Sequence, residues 1–387
     1  MVKDLHICFN MVSDPTWSGG VLYIQNLIKA IASLPNSERQ NIKLSLAVDK
    51  SKQQLADPIR NNVSHIYADD FLEINYLKAC KLLAAYAPFI PSKILNPRSC
   101  DFIYPHCARS NAPYKWGGWI PDFQHYHLPN LFSAQEIDRL NADSKKLADA
   151  APVIILSSHM AQIDFCNSYS YACDRSTVMQ FASSFEPSWF EADPQEIQSK
   201  YYLPNEFFLV SNQFWEHKDH TVIIEALSIL KERKISPTVV CTGNTTDYRN
   251  PQYFKQLLTH IEKLGLEQEI KILGLIPRTD QIQLMRRCIA VIQPSLFEGW
   301  STVVEDARML GKPILVSDFP VHLEQNPPHA YFFQRRNAEE LAELMSKAMI
   351  SLMPGPDIQA EHSARQDNRS RVRDYGKRFL EIVRNTL

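Results

Sequence analysis

The stretch IAVIQPSLFEGWSTVVEDARMLGKPILVSD, residues 289–318, gathers two prolines, four acids and four hydroxyl side chains around Gly299. It reads as an apolar strand, a loop holding Pro294 and Gly299, a helix from about residue 302 to 310, and a second strand. Ser301 or Thr302 is placed to cap that helix. The free N–H groups and positive dipole end of such a helix make an anion site that suits a diphosphate. Glu298, just ahead of the helix, is placed to accept a hydrogen bond from a sugar hydroxyl. Val303, Val304, Ala307 and Leu310 define the buried stripe at helical spacing, which puts Glu305 nearly opposite it and Asp306 on its flank. Asp306 is therefore the acid expected to face a ligand, and Glu305 is expected in solvent. Residues 297–311 form the centre of the candidate site.

The elements that must position this segment repeat along the chain. Apolar runs at 6–11, 42–48, 101–104, 118–120 and 153–157 predict strands in the first half, and runs at 207–210, 237–242, 270–273, 289–293 and 313–316 predict them in the second. They do not alternate polar and apolar residues, as expected of strands buried on both faces of a parallel sheet. Amphipathic helices are predicted between them at 21–32, 221–234, 253–264, 281–288 and 338–349. The pattern means a doubly wound α/β protein, and 387 residues are enough for two such domains. The Pro-, aromatic- and acid-rich segment 184–205 reads as a linker. The expected division is 1–190 and 200–365, with a charged helix at 366–387 packing back on the first domain. Ligands of open parallel sheets bind outside the carboxyl ends of the strands, so that is where chemistry is sought.

Composition narrows the partners. A net charge of −2 gives no basic field for gathering nucleic acid. No charged-then-apolar leader and no uninterrupted apolar run of membrane length appear in the sequence, so a cytoplasmic protein is expected. The eight cysteines include no C-x-x-C pair and are expected as reduced, mostly buried thiols. No Asp-x-Asp in a metal context, no H-E-x-x-H and no G-x-S-x-G is found, and no metal is expected. The segment 76–95 is apolar with Lys78, Lys81 and Lys93; it suits either a helix on the inner membrane face or a packed helix with lysines at its rim.

Pro294, Ser295, Glu298, Gly299, then Asp306 eight residues after the first acid, then Gly311, Lys312, Pro313 and Ile314, resemble the signature of glycosyltransferase family 4, a retaining GT-B family. The resemblance implies two Rossmann-like doubly wound domains facing across a cleft. It implies transfer of a sugar from a nucleoside diphosphate-sugar to a glycan or lipid-linked acceptor, without cofactor or metal. Glu298 then takes the transferred sugar, Gly299, Trp300, Ser301 and Thr302 the diphosphate end, and Asp306 the ribose. Asp306 departs from the pattern, which has Glu.

Other segments fall into the same register. SNQFWEHKDH, 211–220, resembles the family's G-R-x4-K turn, so that Lys218 matches the phosphate lysine while Gln213 stands where the arginine would be. Trp17-Ser18-Gly19-Gly20 resembles the glycine-rich loop after the first strand. In WIPDFQHYHLPNLFS, 119–133, Pro121-Asp122 stands where many members have His-Asp, with His125 and His127 just beyond. Leu275 and Ile276 fall in the loop that frames the nucleotide base, and Arg278 beside them offers a substitute cation. Acceptor specificity is expected in loops such as 71–98. The alternatives are a nucleotide-sugar-binding protein that has lost catalysis, and a GT-B epimerase or phosphorylase.

Overall fold

The computed structural model describes residues 4–12, 18–68, 100–108, 112 and 114–387. They fall into two compact units. The first takes the described residues of Met1–Asp122 and Asp138–Ser184 with Ser370–Leu387; the second takes Phe123–Ile137 and Phe185–Arg369. The segments 71–98 and 76–95, expected to serve acceptor or membrane, lie outside the described residues, as does Trp17.

The strands of the first unit are β1 (Leu5–Asn10), β2 (Ile42–Val48), β3 (His65–Ala68), β4 (Phe102–Tyr104), β5 (Lys115–Ile120), β6 (Val153–Leu156) and β7 (Ser176–Val178). Among the described residues they form one parallel sheet in the order β3-β2-β1-β4-β5-β6-β7. Its helices include α1 (Ser18–Ala32), α2 (Ala134–Ala150, which begins in the second unit) and α3 (His159–Ser168). The second unit holds α4 (Pro194–Lys200), β8 (Phe208–Ser211), α5 (His220–Glu232), β9 (Val239–Thr242), α6 (Tyr253–Leu264), β10 (Ile270–Gly274), α7 (Arg278–Arg287) and β11 (Val291–Gln293). It continues with α8 (Thr302–Met309), β12 (Ile314–Ser317), α9 (Pro320–Gln325), β13 (Ala330–Phe333) and α10 (Ala338–Ser351). Its parallel sheet runs β10-β9-β8-β11-β12-β13. In β8, β9 and β12 every residue is buried, because helices cover both faces; this is why these strands read as unbroken apolar runs.

The strands the apolar runs did not announce are β3, β7 and β13, each at an edge of its sheet. Edge strands are covered less completely, and their burial is partial and mixed. The segment expected as a linker begins where the two units divide, at Ser184, and carries structure of its own. It forms a short helix, Ser188–Glu191, and α4, with the Trp189 carbonyl accepting from Gln283 Nε2 at 2.9 Å and from Arg286 Nη1 at 2.6 Å. The thiols also depart from expectation in one place. Cys166, in the last turn of α3, and Cys173 are joined in a disulfide, whereas Cys8, Cys100, Cys241 and Cys288 are buried thiols.

The last helix, α11 (Ile358–Thr386), contributes to both units. In the first, a Cβ on Gly376 would stand 2.9 Å from the Ala30 backbone, so only glycine permits this crossing with α1. In the second, Arg286 and Glu361 form a doubly bonded pair at 2.6 and 3.0 Å with both side chains almost wholly buried. Removing one partner of such a pair leaves an uncompensated charge in the interior. Glu361→Ala is therefore expected to lower stability by about 3–5 kcal/mol, read as a fall in the urea midpoint.

Candidate functional site

In the second sheet the strand order reverses between β8 and β11. The chain leaves these neighbours in opposite directions and opens a crevice at their carboxyl ends, where ligands of such sheets bind. Two loops line it, 212–219 after β8 and 294–301 after β11.

Polar side chains at the strand ends join the loops. Asn212 Nδ2 donates to Gln293 Oε1 at 2.8 Å, and both residues are buried. Gln293 Nε2 points at Glu298 Oε1, Ser295 Oγ and Ser301 Oγ, at 2.8, 3.0 and 3.2 Å. Lys218 Nζ donates to the same Glu298 oxygen at 2.6 Å, and the two side chains are 15% and 10% exposed. The Leu296 N–H adds a bond of 2.8 Å to the His217 carbonyl. Lys218 ends a 3-10 turn that closes on Asp219, whose φ of +51° starts α5 immediately.

Ser301 is the helix cap: its Oγ accepts from the Val304 N–H at the start of α8. Thr302 is the first helical residue. Gln325, from the end of α9, secures the cap, its Oε1 accepting from the Ser301 N–H at 3.1 Å and its Nε2 donating to the Ser301 carbonyl at 3.0 Å. Gly299 is partly buried beside Trp300, which is buried. Asp306 is buried and doubly bonded to Arg278, at 2.7 and 2.6 Å.

Glu305 does not face solvent. It is fully buried and accepts from Gln325 Nε2 at 3.1 Å. Helix α8 is covered on the α9 side as well as the sheet side, so the stripe of apolar residues does not mark its only buried face.

Two histidines beneath the loops are held neutral. His217 is buried, and burial followed by the charges of Lys218 and Arg249 pushes its pKa well below the ordinary histidine range. Its Nδ1 accepts from Arg249 Nη2 at 3.0 Å. His322 is pushed down to about 4, first by burial. Ser317 Oγ donates its proton to the Ser295 carbonyl at 2.7 Å, so His322 Nδ1, 3.0 Å from that oxygen, carries the imidazole proton. The pair fixes the 294–301 loop from below.

The segment carrying His125 and His127 belongs to the second unit, while Asp122 is the last residue of the first before the division. His125 is buried among Phe123, Tyr126 and Phe132. His127 is exposed and lies against Phe297, with ring centroids 5.3 Å apart. Arg249 fastens this segment: Nη1 donates to Gln124 Oε1 at 3.0 Å, and its guanidinium lies 5.1 Å from the ring centres of Phe132 and Trp215. Gly19 and Gly20 are not loop residues but part of the first turn of α1. Gln213 sits in the 212–219 loop; Leu275 is largely exposed after β10, and Ile276 is partly buried. Among the described residues, no cluster of His, Cys, Asp and Glu is able to hold a metal ion, and no helix is long and apolar enough to cross a membrane.

Asn212, Gln293, Gln325 and Arg249 carry much of this arrangement and escaped the sequence reading. For Asn212 and Gln293 a signal existed, since each is a polar residue at the carboxyl end of a buried strand. Gly243 closes the floor, with a φ of +133° at which a Cβ would stand 2.1 Å from the Asn212 carbonyl oxygen.

Residues 193–365 match the family model described as glycosyl transferases group 1. The serotype-specific mannosyltransferase WbdA of Escherichia coli is 23% identical over 233 residues, 59% of this chain. The match spans only 26% of the length of that relative. Among solved structures, HepE of Anabaena in complex with UDP-glucose superposes with a TM-score of 0.69 at 17% identity, covering 98% of this chain and 100% of that one. A glycosyltransferase of Rickettsia africae gives 0.66 at 15% identity, covering 100% and 99%. The fold is α/β, two parallel-sheet units of the GT-B type.

Asp219 offers a measurement of how tightly this turn is packed. Burial raises its carboxyl to about 6, against the smaller opposing charge of Arg336. The folded state thus holds a proton that the unfolded chain releases near pH 4, and stability falls as pH rises through about 6. Asp219→Asn, which also tolerates the left-handed backbone, is expected to raise stability by about 1–3 kcal/mol at pH 7.5 and much less at pH 4, compared by denaturant unfolding at the two values.

Proposed function

We propose that this chain, whose residues 193–365 belong to the glycosyl transferases group 1, is a glycosyltransferase that moves a sugar from a nucleoside diphosphate-sugar to a glycan or lipid-linked acceptor. The observation that carries this reading is the contact between Lys218 and Glu298, 2.6 Å apart beside the Ser301-capped start of α8. A cation for a phosphate, an acid for sugar hydroxyls and a helix N-terminus for a diphosphate meet at one point. That point is where a donor's sugar–phosphate bond has to lie.

In this reading Lys218 and the N–H groups of Gly299, Trp300 and Thr302 take up the charge that develops on the leaving diphosphate. Ser301 caps the helix, and its own N–H is held by Gln325. Leu275 and Ile276 face the base. Glu298 orients the sugar and does not attack it. Transfer proceeds with retention, by attack on the face the phosphate leaves, the phosphate helping to take the acceptor's proton. Asp122, His125 and His127 serve the sugar and acceptor side, and His127 already touches Phe297. Positive charge and N–H donors do the work of a metal, so transfer is expected to persist in a chelator. The enzyme is expected in the cytoplasm, or at the inner membrane face if the acceptor is lipid-linked.

Because HepE binds UDP-glucose, UDP-hexoses are the first donors to try, with GDP-hexoses beside them. Glu298→Gln is expected to cut acceptor-dependent nucleotide release by roughly 100-fold or more with the fold retained and the melting temperature lowered, since Lys218 loses its covered partner. Full activity in that variant removes Glu298 from the mechanism. Gln213, in place of a second cation, favours a second reading: a protein that binds the donor without transferring it, in which wild-type protein is stabilised by nucleotide but releases none.

A further inference from the structure

The 212–219 loop also borders a second space. A cavity of about 330 Å³, at the small end of the range of small-molecule sites, lies in the second unit against this loop, α5, α6 and the turn ahead of α10. Neither Lys218 nor Glu298 lines it. Glu216 and Asp219 enter from the loop, Glu225 from α5, Tyr253 from α6 and Arg336 from the turn between β13 and α10. Three acids thus face one cation. Asn250 holds Glu216 in place, its Nδ2 donating to Oε2 at 2.8 Å, and Glu225 is exposed. Asp219 is 8% exposed, and its Oδ2 is covered, with no hydrogen-bond partner among the described residues. That leaves Oδ1 as the oxygen a molecule in the cavity can reach. A carboxylate shares its charge between both oxygens, so a cation at Oδ1 compensates the covered one too. The protein does not supply that cation. Arg336 favours the charged form of Asp219 through space, but burial and the repulsion of Glu225 oppose it, and burial is the largest effect.

We propose that this cavity is a binding site for a small protonated amine that carries hydroxyl groups, its ammonium held by Asp219 Oδ1 and Glu225. Two negative charges in excess select a cation, and a compact ammonium with three N–H donors can meet two carboxylates at once. Arg336 and the exposed amide of Gln256, which also lines the cavity, offer donors for the oxygens of the same molecule. Leu296 and Val222 add apolar wall. The inference goes beyond the donor-site reading and does not depend on it. Lys218 precedes Asp219 in the chain but is turned to Glu298, so the two sites share a loop and not their contacts.

Titration calorimetry of the full chain tests this with glucamine, an amino polyol, and sorbitol, which has a hydroxyl where glucamine has its amine. At pH 7.5 glucamine should bind wild type about tenfold or more tightly than sorbitol. Asp219→Asn and Glu225→Gln should each weaken glucamine by about tenfold. D219N keeps the size of the side chain and is expected to be more stable than wild type at this pH, so a loss there is not a loss of fold. The urea midpoint of each variant is measured beside its affinity. Since Asp219 takes up its proton at about 6, the cavity loses that charge in acid, and wild-type affinity for glucamine should fall by about tenfold between pH 7.5 and pH 5. Glu216, Glu225, Tyr253 and Arg336 also face this carboxyl and remain in D219N, which should show a smaller fall. Glucamine that binds no better than sorbitol overturns the proposal, as does unaltered affinity in either variant. A wild type that binds neither polyol overturns it too, and each of these results leaves the donor-site reading standing.

Discussion

The ion pair between Lys218 and Glu298 ties together the two loops that leave β8 and β11 in opposite directions. Everything around it reads as support. Asn212 and Gln293 prolong the two central strands with a side-chain bridge, and Gln293 turns the bound Glu298 oxygen toward the lysine. Ser317 and the neutral His322 hold the loop from below, and Gln325 holds the cap of α8. A pair this covered is costly to desolvate and is retained when its geometry and extra hydrogen bonds compensate, or when a function requires both charges. Here Gln293 supplies the extra bond.

The same logic accounts for the second pair. Arg278 and Asp306 neutralise each other one turn further along α8, at the side of the crevice where α7 begins. Each cation near the crevice thus has its own carboxylate, and the local charge is close to balanced. In the proposed reading an arriving diphosphate is met by N–H groups and by one lysine. Such a site recognises by directed donors more than by net charge.

The central strands and the helix after β11 were readable in the residues because burial on both faces leaves unbroken apolar runs and because Ser301 precedes a helical stripe. β3, β7 and β13 were not, since edge burial is partial and their runs are short and mixed. Glu305 was misjudged for a related reason: helical phase reports the face against the sheet, and nothing local announces that α9 covers the other one. The partners of the recognised residues were the least readable. Gln293, Gln325 and Arg249 act across separations of dozens of residues, with only a polar residue ending a strand as a hint for the first. Gly19 and Gly20 were expected in a loop and lie in the first turn of α1, as two glycines before an apolar stretch suit a turn and a first helical turn equally.

A crystal structure of the chain with UDP or GDP bound, and with the matching nucleotide-hexose, tests the central claim most directly. The account predicts the diphosphate on the N–H groups at the start of α8 with the Lys218 ammonium against a phosphate oxygen, Glu298 released toward the sugar. A nucleotide bound elsewhere, with the Lys218–Glu298 contact unchanged, would contradict it.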